Sequence, residues 1–168
     1  MDKETFARLV IDSTNSLYRV SKSILQNDSD CEDAVSEAIT IAFQKLDSLK
    51  KDEYAKTWLT RILIHECYHM RKQQSRITLF PHDGEGILNH KGHQENNGFM
   101  DVENYSDLYE AMGQLKEKQR LVLTLYYYEG YSIKEIGAIM GITQGTVKSR
   151  LGRARNQLKI FLEEESYV

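Results

Sequence analysis

Several features that mark other classes of protein are scarce or missing in this sequence. It has one Pro and two Cys, and the cysteines, Cys31 and Cys67, form no CxxC pair. This argues against a disulfide framework, and reduced thiols are the expected state. No apolar run approaches the ~20 residues that a membrane-spanning helix needs. The first residues, MDKETFARLV, include acids where a signal peptide has an apolar core, so a cytoplasmic protein is expected.

An excess of positive charge is also missing. The net charge is −3, with 28% charged and 40% apolar residues, which is ordinary for a soluble globular protein. Any binding to nucleic acid therefore has to come from a local basic patch. At 168 residues the chain fits one domain or two small ones.

The single proline, Pro81, lies in a segment that differs from the rest of the chain. This segment, ITLFPHDGEGILNHKGHQENNGFMDVEN at 77–104, is rich in Gly and Asn and has no helical or strand period. Such a composition predicts a flexible linker. The flanking chain has helical periodicity and no set of alternating strands. The predicted fold is all-α, with two small helical domains at 1–76 and 105–168.

Three amphipathic helices are predicted in the first half. The second has an acidic start with Asp30 as its N-cap, and the third runs from about Tyr54 to Gln74. The apolar stripe of the second helix consists of Ala34, Ala38, Ile41, Ala42 and Leu46. The inward residues predicted for the third helix are Trp58, Ile62 and Met70.

The stretch YSIKEIGAIMGITQGTVKSRLGRARNQLK, 131–159, predicts a helix-turn-helix. Ser132 and Thr143 are candidate caps for two helices. Gly141 can supply the turn between them, because positive φ is favourable for glycine. Gly137 leaves room for the second helix to cross closely, and that second helix enters the major groove in such motifs. The expected core residues are Ile133, Ile136, Met140, Val147 and Leu151.

The charge of the second of these helices favours DNA binding. From Thr143 to Lys159 there are five basic residues and no acid. Gln144 and Thr146 stand at the helix start, where base edges are read and amides hold phosphate, and Arg150 can make a bidentate contact to guanine. A solvated basic face on a helical hairpin is the alternative. The neighbouring tyrosines, Tyr126 to Tyr128, are expected to pack the core and surface of this motif.

The first half has one acidic face and one basic face. Five carboxylates lie between Asp28 and Glu37 with no basic residue among them, which suits a basic partner. Stabilisation of the helix dipole is the simpler explanation for these acids. The third helix has five basic residues and only one acid, Glu66, between Lys56 and Arg76, so a single DNA strand can follow it. The preceding loop, KKDEYAKT at 50–57, and the start of the helix are expected to capture its bases. Trp58 either anchors this helix or stacks on a base.

The segment His65 to His69, HECYH, matches the H-E-x-x-H pattern of zinc metallopeptidases. On a helix the two imidazoles lie one turn apart, so a zinc hydrolase is one alternative. The extended protease pattern fails, because Lys72 and Ser75 stand where it has Gly and His. We therefore predict no metal, no cofactor and no catalytic residue.

Three blocks of the sequence resemble extracytoplasmic-function sigma factors of the sigma-70 family. The family pattern EIA-x-x-x-G-x-x-x-GTVKSR-x-x-RAR is similar to EIGAIMGITQGTVKSRLGRAR at 135–155. DSDCEDAVSEAITIAFQKL at 28–46 resembles D-x-x-D-A-E-D-x-x-Q-E, and KTWLTRILIHECYHMRK at 56–72 resembles T-W-L-x-R-I-x-x-N. The blocks occur in the family's order, and the resemblance covers nearly all of the chain outside the linker.

This resemblance implies a promoter-specificity subunit that binds core RNA polymerase and promoter DNA, is a monomer when free and is held inactive by an anti-sigma factor, usually membrane-bound. The implied contacts to the −35 element are Gln144, Gly145, Thr146, Lys148, Ser149, Arg150, Arg153 and Arg155. The implied contacts to the −10 element are Lys56, Trp58, Arg61, His65, Arg71 and Lys72. Core polymerase would be bound by Asp30, Asp33 and Glu37.

Two points stay open at this stage. His65 stands where the family commonly has Asn, a residue tied to recognition of a flipped −10 base. Imidazole offers fewer donor and acceptor combinations, so the preferred base does not carry over. A stand-alone helix-turn-helix regulator is the other alternative, although it leaves the acidic face and the T-W-L-x-R-I block unexplained.

Overall fold

The computed structural model describes residues 1–79 and 106–165, which are almost entirely helical and contain no β-strand. Two 3₁₀ turns, Leu46–Ser48 and Asp52–Tyr54, connect the second helix to the third, and a π-helical turn, Thr124–Tyr128, follows the fifth. The all-α prediction is confirmed. The helices are α1 Lys3–Leu25, α2 Asp28–Gln44, α3 Ala55–Leu79, α4 Ser106–Gln114, α5 Glu117–Leu123, α6 Ile133–Met140 and α7 Gln144–Glu165.

The predicted linker, 77–104, lies outside the described residues except at its start. There α3 continues to Leu79, so the helix runs slightly past the expected domain boundary.

Capping side chains set the starts of α1 and α2. The carboxylate of Asp2 accepts hydrogen bonds from the hydroxyl and the backbone N–H of Thr5, which lower the pKa of Asp2 to about 2. The side chain of Asn27 accepts from the N–H of Asp30 at 3.1 Å and caps α2. The prediction of Asp30 as the cap was wrong. The helix begins at Asp28, so Asn27 occupies the cap position and Asp30 lies within the first turn.

The buried face of α3 differs from the predicted one. Trp58, Ile62 and Met70 are only partly buried, whereas the fully buried residues are Leu59, Leu63 and Cys67. The difference arises because α3 packs on α1 and α2 and also on α6 of the second half. Helical periodicity alone identifies one inward face and does not reveal a second neighbour.

The helix-turn-helix is formed by α6 and α7, as predicted. Ser132 and Glu135 make a reciprocal capping box, with the Ser132 N–H donating to Oε2 of Glu135 at 2.7 Å. Gly141 ends α6 at φ +67°. The N–H of Thr146 donates to Oγ1 of Thr143 at 3.2 Å, so Thr143 caps α7.

The core of this motif also follows the prediction in large part. Ile136, Val147 and Leu151 are fully buried. Ile133 and Met140 are only partly buried, and Ile139 takes the inner position in their place. The buried face of α6 is rotated because this helix packs on both α7 and α3.

The two halves pack against each other. α1 contacts α5 and the π turn, α3 contacts α6, and the buried apolar residues of both halves form one cluster. The described residues therefore form a closed body, in which each half covers part of the other.

Arg120 is buried at the centre of this contact. Its guanidinium donates to the carbonyl of Ser23 at 2.7 Å and to the carbonyls of Gly113 and Leu115 at 3.2 Å. These carbonyls lie at the C-terminal ends of α1 and α4, where the helix dipole favours a cation. Burial lowers the pKa of Arg120, but arginine remains charged at any physiological pH.

Gly137 generates the first prediction. A Cβ added there would lie 2.9 Å from the carbonyl oxygen of Ile142, a backbone atom that cannot move alone. We expect Gly137→Ala to reduce the free energy of unfolding by about 1–3 kcal/mol through overpacking. Denaturant titration of the full chain measures this change.

Gly152 provides the matched control, because a Cβ there meets nothing within 4 Å and the residue is also helical. Gly152→Ala should raise stability by up to about 1 kcal/mol through the loss of backbone freedom in the unfolded chain. Equal stability of both variants would contradict the close crossing at Gly137.

Candidate nucleic-acid and protein interfaces

The predicted −35 residues all lie on α7, where most are exposed and Thr146 and Arg150 are half-buried. With about 3.6 residues per turn, Val147, Leu151 and Ala154 form the buried stripe. Gly145, Ser149 and Gly152 lie on the opposite side. Small side chains there let the helix approach another surface closely. One flank of this small stripe carries Gln144, Lys148 and Arg155, and the other carries Thr146, Arg150 and Arg153.

Of the three consecutive tyrosines, one packs and two are exposed. Tyr126 is partly buried against the core, whereas Tyr127 and Tyr128 have 58% and 42% of their surface exposed. Tyr126 therefore packs on the core, while Tyr127 and Tyr128 lie at the surface of the motif. Arg155 of α7 lies over the rings of Tyr126 and Tyr127.

The predicted −10 residues divide between two faces of α3. Trp58, Arg61, His65 and Lys72 share one face by helical spacing, and three of them are exposed. Trp58 is partly buried, with its ring 6.1 Å from that of Phe6. This contact fits the anchoring role that we considered for Trp58.

Lys56 and Arg71 lie elsewhere, on the side of α3 that meets the second half. The ammonium of Lys56 lies 5.5 Å from the ring centre of Tyr131, and Arg71 forms an ion pair with Glu117. Burial raises the pKa of Tyr68, on the same helix. The charge of Arg150, in the second half, is close enough to oppose this effect. In the closed chain, residues assigned to both DNA elements thus lie at the contact between the halves.

Further polar contacts join the halves. The carboxylate of Glu129, only 2% exposed, accepts from Nε of Arg19 at 2.7 Å and also from the hydroxyl of Ser16. The hydroxyls of Thr60 and Tyr131 are 2.9 Å apart. These pairs cannot be predicted from the sequence, because no local pattern relates residues more than 70 positions apart.

The acidic face borders a cleft between α2 and α3. Asp33 and Glu37 line this cleft with Glu66, His69, Met70 and Gln73, and its volume is about 280 Å³. Asp30 lies at the same side and accepts from Nε2 of Gln74 at 2.9 Å. Three predicted polymerase-binding carboxylates are thereby brought together.

Asp28 is separate from this group. It accepts hydrogen bonds from Lys22 and Tyr18, and these lower its pKa. Its carboxylate therefore serves the packing of α2 against α1.

The two imidazoles of the HECYH segment both lie near the carboxylate of Glu66. Nδ1 of His65 is 3.2 Å from Glu66, Nδ1 of His69 is 4.0 Å from the same carboxylate, and His65 has 79% of its side chain exposed. Among the residues that the structure describes, no group of three His, Cys, Asp or Glu is arranged to hold a metal ion. The geometry gives the zinc hydrolase alternative no support.

The loop before α3, which is predicted to capture −10 bases, presents an exposed aromatic residue. Tyr54 is exposed at the end of the second 3₁₀ turn, with Nζ of Lys51 at 5.8 Å from its ring centre. The role of this loop in capturing bases stays a prediction.

Comparison with protein families identifies both halves. The family model described as Sigma-70 region 2 matches residues 9–77, and the one described as Sigma-70, region 4 matches residues 105–158. The chain belongs to the sigma-70 family, as a sigma factor of the extracytoplasmic-function type. The resemblance seen in the sequence is confirmed.

Individual relatives of this sigma factor span nearly its whole length. RNA polymerase sigma factor SigV of Bacillus subtilis is 27% identical over 97% of this chain and 94% of that protein. The solved structure of sigma factor RpoE with the anti-sigma factor NepR from Bartonella quintana gives a TM-score of 0.75, at 30% identity, over 95% of this chain and 98% of that one.

A second solved structure, CnrH in complex with the cytosolic domain of CnrY, shares the fold at 22% identity. Its TM-score is 0.69, over 97% of this chain and 90% of that one.

As a sigma factor, the protein is a transcription initiation factor that binds core RNA polymerase and directs initiation at particular promoters. Within residues 1–79 and 106–165, no helix is long and apolar enough to cross a membrane.

Proposed function

We propose that α7 reads the −35 element and that the exposed face of α3 holds the −10 element. The observation that carries the proposal is the exposed side of α7, where two basic flanks border a stripe of small residues beyond a capped N-terminus. Base edges are read from Gln144, Thr146 and Arg150, while the other basic side chains neutralise phosphates. Residues 144–155 are thus the proposed binding site for the −35 element.

The −10 element is assigned to α3 and the turn before it. Arg61, His65 and Lys72 form an exposed row that a single strand can follow, and Trp58 supports this row from the core side. Lys56 and Arg71 join the DNA-binding face after the second half has moved away from them.

Core polymerase is assigned to the acidic cleft. Asp33 and Glu37 present carboxylates beside Glu66, and Asp30 flanks them. A basic surface of the polymerase is complementary to this cleft, and the charge also steers association. Nucleotidyl transfer belongs to the polymerase, so this chain is not an enzyme. It acts in the cytoplasm, and its domains are residues 1–76 and 105–168.

An anti-sigma factor is the proposed inhibitor. RpoE, 30% identical to this chain, was solved with the anti-sigma factor NepR. The free chain is proposed to be a monomer, and its inhibitor to be anchored in a membrane.

Promoter engagement is proposed to open the closed body. The −35 and −10 elements, with centres about 25 base pairs apart, lie roughly 85 Å from each other on straight B-DNA, at about 35 Å per turn. In the closed chain α3 and α6 are in contact. The roughly 26 residues between Leu79 and Ser106 can reach about 90 Å when fully extended, so the chain is long enough for this separation.

Charge reversal at the cleft tests polymerase docking. We expect the double variant Asp33→Lys/Glu37→Lys to bind core RNA polymerase about tenfold more weakly, because like charges then face each other. Run-off transcription with sigma-free core and promoter-bearing genomic DNA should fall in parallel. Asp12→Lys, an exposed acid on α1, is the matched control. If the wild-type chain itself directs no discrete transcripts, the proposed function is wrong.

Arg150→Ala tests the assignment of base reading. The loss of a bidentate contact should cost about 1–3 kcal/mol at one base pair and relax the preference there. Lys159→Ala, at an exposed surface ion pair with Glu163, should leave base preference unchanged. Holoenzyme binding to a library of −35 variants measures both. Unchanged preference and unchanged salt dependence in Arg150→Ala would contradict its role.

Separation of the halves can be measured with two probes at introduced cysteines, Ser36→Cys on α2 and Asn156→Cys on α7, both exposed positions. The native thiols of Cys31 and Cys67 are buried, and burial raises their pKa values, to about 12 for Cys67, so labelling is selective. The distance should increase by tens of ångströms when holoenzyme binds promoter DNA.

The polar contacts between the halves supply the variants for this measurement. Glu117→Lys and Glu129→Gln should each lengthen the mean distance in the free chain, because they remove the partners of Arg71 and Arg19. Glu110→Lys, exposed on α4, serves as the charge-matched control. A probe distance that stays constant from free chain to promoter complex would contradict the opening.

A further inference from the structure

The aromatic pair beside α7 has no role in the assignments above. The rings of Tyr126 and Tyr127 meet edge to face, with centroids 4.9 Å apart and an interplanar angle of 79°. Cζ of Arg155 lies 5.9 Å from one ring centre and 5.8 Å from the other. A cation within about 6 Å of a ring centre is attracted by its quadrupole, and here two rings act on one guanidinium.

The backbone explains why both rings reach Arg155. Residues Thr124–Tyr128 form a π-helical turn, in which the N–H of Glu129 donates to the carbonyl of Thr124 at 3.1 Å. The wider turn changes the direction of the side chains relative to a regular helix. Tyr126 stays partly buried and Tyr127 is exposed, so the pair is fixed at one end and open at the other.

The donors of Arg155 remain available. Arg19 and Arg71 form ion pairs with carboxylates, but among the described residues no carboxylate lies within 4.0 Å of the Arg155 guanidinium. Interaction with a ring face uses the charge of the guanidinium and leaves its N–H groups, which lie in its plane, free to donate. Arg155 is therefore held in position without losing its capacity to bind an anion.

The position of Arg155 on α7 identifies that anion. Arg155 follows Gln144 by eleven residues, about 16 Å along the helix axis. When the N-terminal end of α7 reads base edges in the major groove, Arg155 is therefore about three turns away from the bases that are read, where basic side chains meet the sugar–phosphate backbone.

We propose that Tyr126 and Tyr127 are positioning residues that hold Arg155 for a backbone phosphate of the −35 region. This inference rests on the proposed function of α7. The tyrosines act through Arg155 and read no base. Because a side chain already held in place loses less freedom on binding, the pair raises the affinity for DNA of any sequence by a common factor.

The test uses holoenzyme and promoter DNA, with binding measured over a range of salt concentrations. We expect Arg155→Ala to weaken binding about three- to tenfold and to lower the salt slope by about 1. Tyr127→Ala should weaken binding about two- to fivefold, the range of one exposed cation–π contact, and leave the slope unchanged. Both effects should be equal on DNA with the wild-type and with a randomised −35 sequence.

Two further measurements separate positioning from a structural role. Tyr127→Phe keeps the ring and should restore binding to within about twofold of wild type. In an Arg155→Ala background, Tyr127→Ala should have no additional effect, since the residue through which it acts is gone. Tyr109→Ala, an exposed tyrosine on α4, is the matched control and should bind as wild type.

Other outcomes overturn the proposal. Equal losses in Tyr127→Phe and Tyr127→Ala would assign the effect to the hydroxyl, and additive losses with Arg155→Ala would show that the ring does not act through Arg155. If wild-type holoenzyme prefers the −35 element and Arg155→Ala binds as tightly, only this inference fails. If wild-type holoenzyme shows no preference for the −35 element, the proposed function of α7 fails with it.

Discussion

The buried guanidinium of Arg120 is the interaction on which the closed arrangement depends. A buried charge is unfavourable unless polar groups surround it, and here the carbonyls that end α1 and α4 supply them. Gln26, the one non-glycine residue at positive φ among those described, directly follows α1 and lies beside the Arg120 guanidinium. When the side-chain amide oxygen of Gln26 faces Arg120, it accepts a hydrogen bond from Nη2 at 3.0 Å. This contact offsets the backbone strain of Gln26.

Around this centre the contact between the halves is both apolar and ionic. The apolar cluster gives it area, while Arg19–Glu129 and Arg71–Glu117 fix its register. Of these two arginines Arg71 is assigned to DNA under the proposed function, so Glu117 and the promoter are alternative partners for it. In the closed chain the carboxylate of Glu117 thus holds the place beside Arg71 that a phosphate would take under this proposal.

Sequence reasoning was most accurate where structure is determined locally. The caps Ser132 and Thr143 and the turn at Gly141 depend on residues within four positions, and all three are as predicted. The face of α3 was misassigned because two partners bury it, and Lys56 and Arg71 were grouped with Arg61 because charge along a helix does not reveal what lies opposite. Such pairings depend on tertiary contacts that no periodicity contains.

The single apolar cluster has a consequence for folding. Contacts that must break together define a cooperative unit, and in the closed chain this unit spans both halves. Each half alone is a domain of well under 100 residues, a size at which the fraction of surface buried on folding is small. The proposed separation on a promoter would remove the mutual support of the two cores. Polymerase and DNA would then replace this support, and so act as folding partners of the sigma factor as well as its targets.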